Sequence, residues 1–200
     1  LVARRIMYWQ VYLHKTVVAA EFLVINILTK AKALVIQGEP LFCTKSLKKF
    51  LQSNSSLDDF KLNPDLLREF AQLDDNDIFT CVKEWSKYSD KTLALLCDMM
   101  INRKLYRIEI SSQPYNAEYI NELRIKAVKQ LNIDPEDVQY FVFSDTIQNN
   151  AYNPKKDRIS ILYKNKTTKD IAEASDQLNI SSLSTPVTKF FICYPKSLVL

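Results

Sequence analysis

Asn102-Arg103-Lys104-Leu105-Tyr106-Arg107-Ile108-Glu109-Ile110 is the stretch where the hydrophobic rhythm of this chain changes. Before it, apolar residues recur at three- and four-residue spacing. From Leu105 onward Tyr106, Ile108 and Ile110 alternate with Arg107 and Glu109, the two-residue period of a strand with one buried face. The switch divides the 200 residues into an all-helical region, 1–104, and an α+β region, 105–200.

Working back from the switch, no Pro or Gly interrupts residues 3–37, and Met7, Val11, Val18, Phe22, Ile25, Leu28 and Val35 mark one face. This spacing predicts one long first helix, stopped by Gly38 and Pro40. At about 1.5 Å per residue it would reach about 50 Å, more than a small domain needs. Because the pattern is already under way at Leu1, the first turns are expected to pack on polypeptide that precedes it, which makes the chain a fragment. Shorter helices follow at 46–51, at 64–70 with Asn63 as cap, at 74–88, and at 91–102 with Asp90 as cap.

Working forward, the patterns predict a helix at 117–131, strands at 138–144 and 158–163, a short helix at 168–175 and a last strand at 187–194. With the strand at 105–110 the order is βαββαβ. That is the ferredoxin-like arrangement, a four-stranded antiparallel sheet with two helices on one face.

Composition narrows the chemistry. A single glycine, Gly38, excludes both a phosphate-cradling loop and a dinucleotide fingerprint. The net charge of +4 comes from 27 basic and 23 acidic residues without a long run of one sign. A dedicated nucleic-acid arm is therefore not expected, and local anion binding is left open. Cys43, Cys81, Cys97 and Cys193 form no CxxC pair and sit in apolar runs, which reads as buried thiols in a reducing compartment. The apolar stretch 17–28 is broken by Glu21 and Asn26 and is too short for a bilayer, so a cytoplasmic protein without a membrane partner is expected.

On a regular helix Arg4, Tyr8 and Tyr12 fall within about 80° of one another, and His14 stands about 200° from Tyr12. Arginine offers a fixed fork of donors to phosphate, and tyrosine a flat wall with a hydroxyl tip, a pairing that suits a sugar-phosphate. The same residues also read as core aromatics, Tyr8, Trp9 and Tyr12, beside solvated Arg4 and Arg5. His14 is the only histidine, so no histidine metal site can be built from this sequence. Asp74, Asp75 and Asp77 open a helix, where its dipole accounts for them. No catalytic residue and no metal ligand is assigned.

Arg4, Tyr12, His14 and Lys15 on a long helix resemble the segment that follows the catalytic core of HD-domain phosphohydrolases, in particular the SAM-and-HD-domain deoxynucleoside triphosphate triphosphohydrolase family and its bacterial relatives. Leu73-Asp74-Asp75-Asn76-Asp77-Ile78, Trp85 and Asn102-Arg103-Lys104-Leu105-Tyr106 are similar to that family's helical region. So is Asn153-Pro154 ahead of the strand at Arg158. The resemblance covers nearly the whole chain. It implies that Arg4 and Tyr12 face a nucleotide substrate's phosphates and sugar, that His14 and Lys15 belong to an effector-nucleotide site between subunits, and that Arg103 and Arg107 contact an effector's phosphates. It further implies a divalent metal in the intact parent enzyme, held by an N-terminal HD half absent from this fragment, and a homo-oligomer. The fragment alone would then be inactive and bind no cofactor.

This sequence departs from the family at three places. Tyr-Gln-His-Lys is Tyr12-Leu13-His14-Lys15 without the glutamine, a basic residue is replaced by Gln10, and the lysine before Asn-Pro is Tyr152. The alternative is a freestanding ferredoxin-like module binding RNA or protein. Its platform would be exposed aromatics drawn from Tyr106, Tyr140, Phe141, Phe143, Phe190 and Phe191, although the glycine-containing RNP1 consensus is absent.

Overall fold

The computed structural model describes residues 1–149, 152, 158–174 and 187–198. Helices occupy the first half and a small antiparallel sheet follows, so the protein is of the α+β class.

The first helix is not continuous. α1 spans Val2–Met7 and passes into a π-helical turn, Tyr8–Tyr12, in which Leu13 N–H donates to the Tyr8 carbonyl at 2.7 Å. The chain then leaves the helix at His14 (φ −64°, ψ 136°) and restarts as α2, Lys15–Ile36. The imidazole Nδ1 of His14 accepts the Thr16 backbone N–H at 3.3 Å, so His14 caps the second helix and does not lie inside a single one. A π turn needs neither Pro nor Gly, which is why no breaker announced it.

α2 is the spine of the molecule. Val18, Ala19, Leu23, Ile27, Ala31 and Leu34 are its buried stripe, whereas Met7, Val11 and Ile25 of the expected face are exposed. Apolar residues surround much of this helix, so spacing alone could not select the inward side. α3 Lys45–Gln52 and α7 Lys91–Ile101 pack on it, α6 Asp75–Trp85 packs on α7, and α4 Leu57–Leu62 packs on α5 Pro64–Phe70. Asn63 caps α5 and Asp90 caps α7, as their sequence positions indicated. Trp85, 1% exposed, donates its indole N–H to the Phe42 carbonyl at 2.7 Å.

The sheet holds β1 Arg107–Ser111, β2 Phe143–Asn149 and β5 Val187–Tyr194 in the order β1-β5-β2, with Cys193 opposite both Ile108 and Phe143. α8, Ala117–Leu131, connects β1 to a 3-10 helix, Pro135–Tyr140, where a strand was expected. β3 Ser160–Leu162 and β4 Thr168–Asp170 pair only with each other, and a short α9, Ile171–Ala174, follows. Among the described residues the ferredoxin-like sheet of four strands is therefore a three-stranded sheet plus a separate hairpin. The physical reason lies in β3: Ile161 and Leu162 are exposed, so this strand has no buried face to lay on the core.

α2 covers the sheet. Phe22 packs its ring 5.4 Å from Phe143 and 5.1 Å from Phe191. Asn26 donates to the Tyr140 carbonyl (3.0 Å) and to the Tyr106 hydroxyl (3.3 Å), and that hydroxyl donates to the same carbonyl at 2.6 Å. One hydrophobic cluster runs from the helices into the sheet.

Candidate functional site

The restart of α2 and the first strand meet at a cleft of about 560 Å³ whose lining includes Lys15, Thr16, Arg107, Glu109 and Lys196. Three cations thus stand around it with one carboxylate. Arg107 Nε lies 3.6 Å from Glu109 Oε1, and both side chains keep substantial exposure, so this pair is weak. Glu109 also accepts the Tyr194 hydroxyl and, at 3.4 Å, the Tyr119 hydroxyl. Burial, together with that carboxylate, pushes the Tyr194 phenol well above its usual range. The amino end of a 22-residue helix adds positive potential beside Lys15. The arrangement suits an anion, phosphate above all.

Of the residues singled out in the sequence, Lys15 and Arg107 are brought together here. His14, next to Lys15, is exposed and spends its Nδ1 on the cap. Lys196 escaped the sequence reading. It lies in a 3-10 turn, Lys196–Leu198, just past the last strand, where a lone lysine carries no signal of its own.

Arg4 and Tyr12 meet elsewhere. With Met7 and Tyr8 they line a groove of about 550 Å³. The Arg4 guanidinium lies 5.9 Å from the centre of the Tyr8 ring, and Tyr8 and Tyr12 rings make an edge contact at 5.3 Å. Tyr12 is 52% exposed and so is not a core aromatic, whereas Trp9 packs against the core beneath Lys189, whose ammonium is 4.8 Å from its ring centre. Arg103 faces a third cavity, of about 430 Å³, which shares Lys196 with the cleft.

Other expectations resolve into structural roles. Asp74 caps α6, accepting the backbone N–H groups of Asn76 (2.8 Å) and Asp77 (3.1 Å), while Asp77 reaches back to the Asp74 N–H. The Asn76 side-chain amide and these backbone donors hold the Asp74 carboxyl below the usual carboxylate range. Among the described residues no three His, Cys, Asp or Glu side chains converge in a way that could hold a metal ion. Tyr106, Phe141 and Phe191 are buried, so they offer no aromatic platform for RNA. Asn153-Pro154 lies outside the described residues. No helix among the described residues is long and apolar enough to cross a membrane.

No family model matches this sequence. The chain is 27% identical over 205 residues to the uncharacterized protein YwfO of Bacillus subtilis, covering all of this chain and 44% of that protein. Its fold is similar to the crystal structure of a phosphohydrolase from Bacteroides thetaiotaomicron, with a TM-score of 0.85 and 47% sequence identity over 98% of this chain and 48% of the other. The fold is thus phosphohydrolase-like, and the chain spans about half the length of each protein it matches.

Proposed function

We propose that this chain is the C-terminal part of a metal-dependent HD-type phosphohydrolase acting on nucleoside or deoxynucleoside triphosphates, in which it supplies substrate-wall, interface and effector-site residues. The observation that carries the reading is the 47% identity to a phosphohydrolase across 98% of this chain. The residues named above do not form a metal site, so no bond-breaking step is assigned to them. The divalent metal belongs, in this reading, to polypeptide outside these 200 residues, and the match to only 48% of the phosphohydrolase leaves room for it.

Within the reading each cluster has a task. Arg4 neutralises phosphate charge, and Tyr12, edge-on to Tyr8, walls the sugar. The cleft of Lys15, Arg107 and Lys196 takes the phosphates of an effector nucleotide at a contact between subunits of a homo-oligomer. The test is triphosphate release from a panel of deoxynucleotides with Mg²⁺ or Mn²⁺, before and after chelation. The full gene product should turn over and stop on chelation, and the 200 residues alone should not. Arg4→Ala should raise KM, and Lys15→Ala with Arg107→Ala should remove activation by added nucleotide. Robust turnover by these 200 residues, or none by the full product on any nucleotide, refutes the proposal.

A further inference from the structure

The cavity at Arg103 differs in chemistry from the cleft beside it. Leu95, Met99, Leu131, Phe141 and Pro195 line it together with Asp98 and the exposed Arg103, Lys104 and Lys196. Its volume of about 430 Å³ is within the range of small-molecule sites, about 300–1,000 Å³. Lys104 is engaged, with Nζ 3.1 Å from Asp98 Oδ2. Among the described residues Arg103 and Lys196 have no ion-pair partner.

α7 ends with Lys104 N–H donating to the Met99 carbonyl (2.8 Å) and Arg103 N–H to the Met100 carbonyl (3.2 Å), a Schellman turn that places Arg103 at φ 54°. Glycine is the residue for which this left-handed position is least strained. Nothing in the helix ending requires an arginine, and what the arginine contributes is a guanidinium over an apolar cavity.

We propose that this cavity binds a small monoanionic amphiphile, a free carboxylate with an aliphatic or aromatic body that lies on Leu95, Met99, Leu131 and Phe141 while Arg103 and Lys196 hold its charge. Asp98 at the same cavity is taken up by Lys104, which leaves Arg103 and Lys196 as the charges available to a carboxylate. The inference does not rest on the nucleotide reading.

Isothermal titration of the protein with decanoate, decan-1-ol and dATP tests it, with phosphatidylglycerol vesicles as a separate arm. Decanoate should bind and decan-1-ol should bind at least about tenfold more weakly, the scale of a hydrogen bond to a charged group. Arg103→Gly should weaken decanoate by a similar factor while the melting temperature holds or rises, because glycine relieves the left-handed backbone. Arg103→Asn, also tolerant of that conformation, should do the same. Leu95→Trp, which fills the cavity, should abolish binding. Equal affinity for the alcohol, decanoate binding untouched by Arg103→Gly or Leu95→Trp, dATP binding that depends on Arg103 in place of decanoate, or uptake on vesicles without binding of free decanoate would each overturn the proposal.

Discussion

Lys30 joins three elements at one ammonium. Its Nζ lies 2.7 Å from Asp137 Oδ2 in the 3-10 helix and 3.3 Å from Asp90 Oδ2 at the start of α7, with side-chain exposures of 12% for Lys30, 17% for Asp137 and 22% for Asp90. Exposed pairs contribute about 0–1 kcal/mol, and removing one partner of a fully buried pair costs about 3–5 kcal/mol. For exposures this low, Lys30→Met, which keeps the stem but leaves two carboxylates facing each other, should cost about 2–3 kcal/mol. For a protein of this size that lowers Tm by about 4–12 °C, since each kcal/mol shifts it by roughly 2–4 °C. Lys30→Met with Asp137→Asn should recover part of the loss, because one unpaired charge is gone. Burial pulls the Lys30 ammonium down, but Asp137 and Asp90 outweigh it, so its folded pKa lies above the ordinary 10.5. A raised lysine pKa gives stability that is fully present below about 10.5 and fades as pH rises through the folded value. The difference in urea midpoint between wild type and Lys30→Met should therefore stay constant from pH 7 to about pH 10 and shrink above it. A loss under about 0.5 kcal/mol, the scatter of ordinary surface changes, or a gap that closes near neutrality, refutes this account.

Two further outcomes follow from burial. Cys97 and Cys193 are 0% exposed, and burial pushes each thiol up to about 12, so at pH 8 neither carries an appreciable thiolate fraction. Thiol titration with Ellman's reagent should leave both unmodified until denaturant is added, and rapid native labelling of Cys193 would contradict the fold of β5. Val2, Ile6, Met7 and Val11 are 39%, 54%, 45% and 44% exposed, which leaves an apolar surface at α1 and the π turn, as the sequence led one to expect. Light scattering should show concentration-dependent association of these 200 residues that Ile6→Lys with Val11→Lys abolishes; a monodisperse monomer at high concentration argues against an interface there.

Local chemistry was legible where one residue decides a backbone position. Asn63 and Asp90 cap their helices because a side-chain oxygen two or three residues ahead of an orphan N–H has one obvious task, whereas Asp74, read as a first-turn acid, proves to be the cap of α6. The alternation after Leu105 announced β1 because Ile108 points to the core and Arg107 to solvent. The break at His14 was hidden: π turns use ordinary residues, and Val11-Tyr12-Leu13 reads as helix either way. Sheet membership was hidden too, since Ser160–Leu162 carries the apolar residues of a core strand and yet remains exposed. The cleft was half visible. Lys15 and Arg107 were marked by resemblance, but Lys196 arrives from 89 positions beyond Arg107 in the numbering, through the pairing of β5 with β1.

Tyr152 shows how a departure from a family pattern acquires its own structural reason. Where the resemblance would put a lysine, the tyrosine hydroxyl donates to the buried Asp170 carboxylate and accepts the Ile159 N–H at 3.1 Å. Burial and the carboxylate both push the phenol up, and the hydroxyl in turn holds the Asp170 carboxyl down. Arg158, 3.9 Å from the same carboxylate, adds to that effect. Asp170 is the last residue of β4 and pairs with Ser160, so this contact ties the hairpin to Tyr152. A lysine at 152 could pair with Asp170, but an ammonium cannot accept the Ile159 N–H. The position therefore serves the hairpin, and the cations that line the cleft come from α2, β1 and the turn after β5.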